Sequence, residues 1–106
     1  MIDSKQIDEI VNKIALNYNP ERIILFGSYA RGNFTDDSDL DFILIKDTVA
    51  PRNKRAIEVR KLFYGIPIPL DFKIYTSSEF TEELKNKYSF VSSAIKDSKV
   101  LYERKD

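Results

Sequence analysis

The stretch FGSYARGNFTDDSDLDFIL, residues 26–44, places a glycine-serine turn ahead of a cluster of carboxylates and then continues into apolar residues. The run RIILF at residues 22–26, bounded by Pro20 and Gly27, is rich in branched apolar side chains and predicts a buried strand. LDFILI at residues 40–45 has the same character and predicts a second strand. The acids therefore lie where one strand begins, shortly after another has ended.

Two of these acids, Asp39 and Asp41, are two residues apart. In a strand, residues at that spacing point to the same face, with alpha carbons about 6.5–7 Å apart. Neighbouring carboxylates repel each other, yet they are the oxygen ligands that a magnesium ion accepts, and a cation would remove the repulsion. The alternative for an isolated Asp-x-Asp pattern is a solvated strand end whose acids only keep an edge soluble.

Gly27 and Ser28 follow the first predicted strand and precede a short helix. This geometry presents backbone amides and one hydroxyl to an anion, for which phosphate is the natural ligand. Taken singly, Gly27 is compatible with an ordinary turn and Ser28 with an ordinary helix cap. Neither alternative accounts for a turn and a carboxylate cluster within one short segment.

A calcium-binding loop is excluded by two positions. Asp37, Asp39 and Asp41 have the first three ligand spacings of an EF-hand. The sixth position is Phe42, where the sharp turn requires glycine, and the twelfth is Thr48, where the bidentate glutamate belongs. The carboxylates therefore require a different explanation.

A P-loop is excluded in the same way. Gly27 and Gly32 are separated by four residues after a strand, as in that motif. The next residues are Asn33 and Phe34, so the lysine that grips phosphate and the hydroxyl that binds magnesium are missing. Phosphate binding at this turn would have to use other groups.

Helical periodicity precedes and follows the two strands. Apolar residues at three- and four-residue spacing from Ile7, with Ser4 as the cap, predict an amphipathic helix that ends at NYNPE, residues 17–21. The segment at residues 51–65 predicts another helix with Gly65 as its stop. One face of that helix carries three apolar side chains, namely Ala56, Val59 and Phe63.

The carboxyl-terminal half predicts one further strand, two short helices and an edge strand. Apolar and polar residues alternate in a half-buried strand, namely Leu70, Asp71, Phe72, Lys73, Ile74 and Tyr75. Thr76 and Glu79 have capping-box spacing at a helix start. Residues 90–95 repeat at helical spacing, and KVLYE at residues 99–103 predicts the edge strand.

Together these elements predict a mixed α/β fold in one domain over residues 1–106. We expect three main strands plus an edge strand, flanked by about four helices. In folds of this class a ligand site commonly lies at the carboxyl ends of the strands. Strand order does not follow from these patterns.

Composition excludes several classes of function. The chain has no cysteine and no histidine, which excludes disulfides, thiolate nucleophiles and the usual zinc sites. Seventeen basic residues balance seventeen acidic ones, so no overall field attracts nucleic acid, and we expect no direct nucleic-acid partner. The amino-terminal residues contain acids and no long apolar run, which argues against a signal peptide or membrane span and favours a cytoplasmic protein.

A basic run lies on the second predicted helix. It consists of Arg52, Lys54, Arg55, Arg60 and Lys61. Such a run opposite an apolar face is typical of a solvated surface, and we interpret it so. Arg31, beside the glycine-serine turn, either contacts phosphate or pairs with a neighbouring carboxylate; we favour the pairing and leave Arg31 out of the catalytic set.

The spacing of Gly27-Ser28, ten residues and then Asp39-x-Asp41, together with ARG at 30–32, resembles the nucleotidyltransferase superfamily of DNA polymerase beta. Within it, the chain is most similar to the minimal nucleotidyltransferase branch. Members carry a third acid on a later strand, and Asp71 occupies the corresponding place. The specific match covers residues 26–45, and the order of elements extends it loosely over the chain.

The resemblance implies a reaction and a role for each site residue. A nucleoside triphosphate is held with two magnesium ions, a hydroxyl attacks the alpha phosphorus, and pyrophosphate leaves. Asp39 and Asp41 would hold the metals, and Asp71 would complete the second metal site and help to take the hydroxyl proton. The Gly27 amide and Ser28 would hold the terminal phosphates.

The resemblance also implies a partner. Larger relatives add domains that bind the acceptor, and no part of this chain is left over to build one. Minimal nucleotidyltransferases are commonly paired with a HEPN-domain toxin, so we expect an antitoxin that transfers AMP from ATP to a hydroxyl of that toxin, with tyrosine as the expected acceptor, in a hetero-oligomer. The alternative is a noncatalytic module that neutralises its partner by binding.

Overall fold

The computed structural model describes residues 2–105, in which helices and strands are interleaved. The helices of this part are α1 (Ser4–Tyr18), α2 (Ser28–Arg31), α3 (Arg55–Lys61), α4 (Ser77–Leu84) and α5 (Phe90–Ala94). The strands are β1 (Arg22–Phe26), β2 (Leu40–Ile45), β3 (Leu70–Tyr75) and β4 (Lys99–Glu103). Single turns of 3-10 helix lie at Arg52–Lys54 and Ile95–Asp97. None of the helices described here is long and apolar enough to cross a membrane.

The four strands form one mixed sheet in the order β3-β2-β1-β4. β1 runs antiparallel to both of its neighbours, β2 and β4, while β2 and β3 are parallel. A parallel pair needs a crossover connection, and here α3 supplies it. The predicted mixed α/β class, the three main strands and the edge strand are confirmed, and the short helix expected after Gly27-Ser28 is α2; residues 2–105 contain five helices where about four were expected.

Strand direction corrects the expected position of the site. Phe26, the last residue of β1, pairs with Asp41 at the start of β2, and Asp41 in turn pairs with Asp71 on β3. The acids therefore lie at the amino ends of β2 and β3, beside the carboxyl end of β1. The expectation of a site at the carboxyl ends of the strands is right only for β1, because the β1–β2 connection reverses the chain.

Helices cover both faces of the sheet. On one face α1 and α3 pack against alternate strand residues, including Ile23, Leu25, Phe42, Leu44 and Phe72. On the other face α4 and α5 build a smaller core, which contains Ile24, Phe26, Ile43, Ile45 and Tyr75. The second core buries Tyr75, so the carboxyl-terminal half of β3 is covered on both faces rather than half-buried as the alternation predicted.

Helix starts follow capping chemistry, with one correction. The cap of α1 is Asp3 rather than Ser4, because the Asp3 carboxylate accepts from the Gln6 amide at 2.8 Å and the Gln6 side chain accepts from the Asp3 amide at 3.0 Å. Ser4 is the first helical residue. The predicted capping box of Thr76 and Glu79 at α4 is confirmed. Both boxes satisfy amide groups that the first helical turn leaves unpaired.

The second predicted helix differs in its end and in one basic side chain. α3 ends at Lys61, earlier than the predicted stop at Gly65, which lies in the following turn with a φ of 83°. Arg55 does not belong to a solvated surface, since it is buried and its guanidinium pairs with Glu79 at 2.6 Å. The sequence pattern grouped Arg55 with exposed basic residues. In the structure its side chain is buried because it pairs with Glu79, which is far away in the sequence.

Candidate active site

Gly27 forms the turn between β1 and α2 and lies directly against a carboxylate. Its φ is 77°, a value that residues other than glycine rarely adopt. A Cβ atom at this position would lie 2.3 Å from Oδ2 of Asp41. The turn therefore needs glycine both for its backbone conformation and for the space that the Asp41 carboxylate occupies.

Ser28 is the first residue of α2, and it does not act as the helix cap. The cap is Gly27, and the helix has no side-chain capping bond. Backbone bonds hold the turn instead, with the Arg31 amide donating to the Gly27 carbonyl at 3.1 Å and the Gly32 amide to the Ser28 carbonyl at 2.9 Å. Since the Ser28 hydroxyl takes part in none of the hydrogen bonds within residues 2–105, it remains available to a ligand.

The structure brings three predicted acids together at one end of the sheet, where β2 and β3 begin. We call Asp39, Asp41 and Asp71 the acidic edge. Asp41 and Asp71 are partners across the parallel β2–β3 ladder, and Asp39 lies exposed just ahead of β2. Burial raises the pKa of Asp41, and the negative charges of Asp71 and Asp39 raise it further, while Lys73 and Arg31 oppose the shift. Asp71 and Asp39 are therefore both close enough to Asp41 to repel its negative charge.

The donor chemistry of this edge fits magnesium ions, although the carboxylates do not converge on a single point. Among residues 2–105, no group of three or more His, Cys, Asp or Glu side chains is arranged as a metal site. Burial and the repulsion from Asp71 and Asp39 raise the pKa of Asp41, and a divalent cation would relieve the repulsion. Asp39, Asp41 and Asp71 are therefore the residues that would hold such ions.

Lys73 is a site residue that the sequence analysis did not single out. It lies two positions after Asp71 on β3 and on the same face. Its Nζ atom is 3.4 Å from Oδ2 of Asp71 and 5.6 Å from the centre of the Phe90 ring. The period-two spacing could have revealed the shared face, but the contact with Phe90 depends on how α5 packs.

A cleft of about 220 Å³ opens beside the glycine turn. Its walls are formed by β1, the turn, α2 and α5, with the lining residues Phe26, Gly27, Arg31, Phe90, Ser93, Ala94 and Asp97. The predicted pairing of Arg31 with a carboxylate is not found, since no ion pair of Arg31 occurs in the described part of the chain. Its exposed guanidinium is therefore free to meet an anionic ligand at the cleft.

The chain is similar in sequence to a known protein family. The family model described as "Polymerase beta, Nucleotidyltransferase" matches residues 6–106. The chain belongs to this family. The expectation that it is a nucleotidyltransferase is thereby confirmed, and the glycine turn with its neighbouring acids lies within the matched residues.

Three similar proteins extend the comparison. Two are proteins of Methanocaldococcus jannaschii, each named a "putative protein adenylyltransferase". One is 34% identical over 96% of this chain and 100% of its own length, and the other is 38% identical over 62% of this chain and 73% of its own. The crystal structure of a "putative nucleotidyltransferase" from Sulfolobus solfataricus superposes with a TM-score of 0.65 at 23% identity, covering 94% of this chain and 79% of that one. This neighbour supports the fold.

Proposed function

We propose that this nucleotidyltransferase transfers AMP from ATP to a hydroxyl group of a partner protein and releases pyrophosphate. The observation that carries the proposal is the pair of cross-strand carboxylates, Asp41 and Asp71, of which Asp41 lies against the Gly27 turn. Carboxylates in this position repel each other unless a cation joins them. The names of the Methanocaldococcus jannaschii relatives, which refer to protein adenylylation, support the choice of acceptor class.

The triphosphate would be held by the turn and by one cation. The Gly27 amide and the Ser28 hydroxyl bind the terminal phosphates, which fixes the leaving pyrophosphate. Arg31, which lines the cleft beside Gly27, adds a positive charge at the same place. Its exposure and its lack of an ion pair within residues 2–105 favour this role over a structural one.

The acceptor hydroxyl would approach from the acidic edge. Asp39, Asp41 and Asp71 would hold two magnesium ions, which when bound neutralise charge on the attacking and leaving oxygens. Asp71 helps to accept the proton of the hydroxyl as its oxygen bonds to the alpha phosphorus. The bond from that phosphorus to the bridging oxygen of the beta phosphate breaks, and pyrophosphate departs.

The finer biological assignment rests on the resemblance alone. In this proposal the partner is a HEPN-domain toxin, the acceptor is a tyrosine hydroxyl, and the modification makes the chain an antitoxin. The two proteins would form a hetero-oligomer in the cytoplasm. The small domain supports the idea of a protein acceptor, because residues 2–105 fold into one sheet with its helices and add no second body around the cleft.

The direct test is transfer to the product of the neighbouring gene. The two proteins are incubated with labelled ATP and Mg2+, and the partner's mass is measured. We expect a gain equal to AMP on a hydroxyl residue. Asp71→Asn should still bind ATP yet transfer little AMP, whereas Asp37→Asn, a control in the exposed loop ahead of β2, should transfer normally.

Two results would contradict the proposal. Normal transfer by Asp71→Asn would return this residue to an ordinary strand surface. A stable complex that shows no mass change with any nucleotide or divalent metal would support the noncatalytic alternative, in which the chain neutralises its partner by binding.

A further inference from the structure

Lys73 contacts both Asp71 in the acidic edge and Phe90 in the wall of the cleft. Its neighbours on β3, Phe72 and Ile74, are buried in the main core and fix the strand backbone. The Lys73 side chain is 42% exposed, and its ammonium lies 3.4 Å from Oδ2 of Asp71. The backbone is therefore held firmly while the charged end of the side chain has room to move.

The ion pair of Lys73 with Asp71 is a weak restraint. Both side chains are substantially exposed, at 42% and 33%. Exposed ion pairs contribute little to stability because water solvates both charges well when they separate. A ligand with a higher charge density than one carboxylate would therefore attract the ammonium away from Asp71.

An aromatic contact places the Lys73 ammonium beside a wall of the cleft. Its Nζ lies 5.6 Å from the centre of the Phe90 ring, and Phe90 packs edge-on against Phe26 with ring centres 5.6 Å apart. Both rings line the cleft together with Gly27 and Arg31. The ammonium therefore lies beside Phe90, which forms one wall of the space in which the proposed function puts the nucleotide.

We propose that Lys73 is a nucleotide-binding residue that exchanges Asp71 for a phosphate group of ATP. The inference rests on the proposed function, which supplies the nucleotide and the role of Asp71. Without nucleotide, Lys73 competes with divalent cations for the Asp71 carboxylate. With nucleotide, the ammonium binds phosphate, and Asp71 becomes available to a divalent cation. Nucleotide and cation then favour each other's binding, as linkage requires.

The Lys73→Met variant tests the two parts of this proposal separately, namely competition with a cation for Asp71 and binding of ATP. Binding of Mn2+ without nucleotide is measured by electron paramagnetic resonance, and binding of ATP in the presence of a chelator is measured by calorimetry. We expect Mn2+ to bind up to about fivefold more tightly, the factor that an exposed ion pair is worth. ATP should bind roughly tenfold more weakly, because a charge-assisted hydrogen bond to phosphate is lost.

Three further variants serve as controls. Lys85→Met removes a matched exposed lysine, 3.2 Å from Glu82 on a surface away from the cleft, and should change neither affinity. Lys73→Arg keeps the charge and should preserve most of the ATP affinity. Lys73→Gln repeats the test with a polar side chain, so that a folding defect of the methionine variant does not decide the result.

The outcomes distinguish this inference from the proposed function. Unchanged Mn2+ and ATP affinities in both Lys73→Met and Lys73→Gln, with ATP binding by the wild-type protein, would overturn the role of Lys73 alone. The expected affinity changes without AMP transfer to any partner would overturn the transfer reaction alone. Failure of the wild-type protein to bind ATP would overturn both.

Discussion

Two acidic sites at opposite ends of the same sheet have opposite electrostatics. Beyond the carboxyl end of β3, Glu79 accepts from the Arg55 guanidinium at 2.6 and 3.2 Å and from the Thr76 amide at 2.9 Å. These partners lower the pKa of Glu79 to about 2. At the amino ends of β2 and β3, burial and the charge of Asp71 raise the pKa of Asp41 instead, and no hydrogen-bond donor among residues 2–105 meets its carboxylate.

The contrast separates an acid that stabilises the fold from one that we propose binds a cation. Glu79 and Arg55 satisfy each other, cap α4 and join it to α3, so their charges stabilise the fold. Asp41 is placed where its negative charge is unfavourable until a cation arrives. A fold retains such a group at the expense of stability when its charge is needed for a ligand.

Asp41→Asn should have the largest effect and should act in opposite directions on activity and stability. Transfer should fall about a thousandfold, because a lost metal ligand removes several kcal/mol of charge stabilisation. Stability at neutral pH should rise. Since the folded-state pKa of Asp41 is raised, its ionisation opposes folding as the pH increases through that pKa, and asparagine removes this cost.

The measurements are a transfer assay and urea unfolding at pH 7 and at acidic pH. The stability difference between the variant and the wild type should shrink as the pH falls, because protonated Asp41 carries no charge. A variant that is less stable at pH 7 would contradict the electrostatic cost at Asp41.

Arg55→Met tests whether the Arg55–Glu79 ion pair, beyond the carboxyl end of β3, stabilises the fold. The half-buried Glu79 carboxylate loses its main charged hydrogen-bond partner, and the free energy of unfolding should fall by about 2 kcal/mol. Arg52→Met is the matched control, because Arg52 is 59% exposed and lies 3.7 Å from the same carboxylate, so its loss should cost less than about 1 kcal/mol. The folded Arg55→Met protein should still transfer AMP.

This pair also determines a pH dependence. The pKa of Glu79 is lowered from 4.5 to about 2, so its contribution to stability is complete above pH 4.5 and is lost as the pH falls from 4.5 toward 2. The acid-induced loss of stability over that window should be smaller in Arg55→Met, as measured by urea unfolding. An unchanged acid dependence would show that the pair is not the cause.

Gly27→Ala should have an intermediate effect and should lower both stability and transfer activity. The left-handed φ costs about 1–3 kcal/mol for a residue with a side chain, and the added Cβ displaces the Asp41 carboxylate. Gly65→Ala is the matched control, since Gly65 has a φ of 83° with no atom within 4 Å of an added Cβ. Both variants should lose stability, but only Gly27→Ala should lose transfer activity. Loss of activity in both would remove the special role of the Gly27 contact.

Ser28→Ala should have the smallest effect on the fold. Its hydroxyl does not cap α2, so stability should change by less than about 0.5 kcal/mol. ATP affinity should fall roughly tenfold, because a hydrogen bond to phosphate is lost. Calorimetry with ATP and thermal unfolding measure the two quantities. A clear loss of stability with normal ATP affinity would restore the helix-cap interpretation.

Local patterns predicted most of the elements because their causes lie close together in the sequence. The apolar runs of β1 and β2 and the capping box of Thr76 and Glu79 depend on neighbouring residues, and the structure confirms them. Asp3 was missed as the cap of α1 because Ser4, the adjacent residue, has the same chemistry. The burial of Tyr75 was missed because alternation does not reveal a helix that covers the second face.

The candidate site was predicted in part for the same reason. The spacing of Asp39 and Asp41 and the position of Gly27 are local features, and the family resemblance added Asp71. Lys73 was not singled out, although its spacing from Asp71 was visible, because a lysine on a strand is usually solvated. Its significance follows from the Phe90 ring, which α5 brings to the edge of the cleft.

The sequence by itself determined where most helices and strands lie, and that Asp39 and Asp41 are close together at the start of a strand, because backbone periodicity and capping act over a few residues. Only the tertiary structure decided that β1 is antiparallel to β2 while β2 and β3 are parallel. That arrangement brings the Gly27 turn against Asp41 and sets Asp41 opposite Asp71. Tertiary packing also buries Arg55, which the sequence grouped with exposed basic residues, and pairs it with Glu79 on α4. Such contacts depend on hydrogen-bond ladders and burial between segments far apart in the chain, which no local pattern encodes.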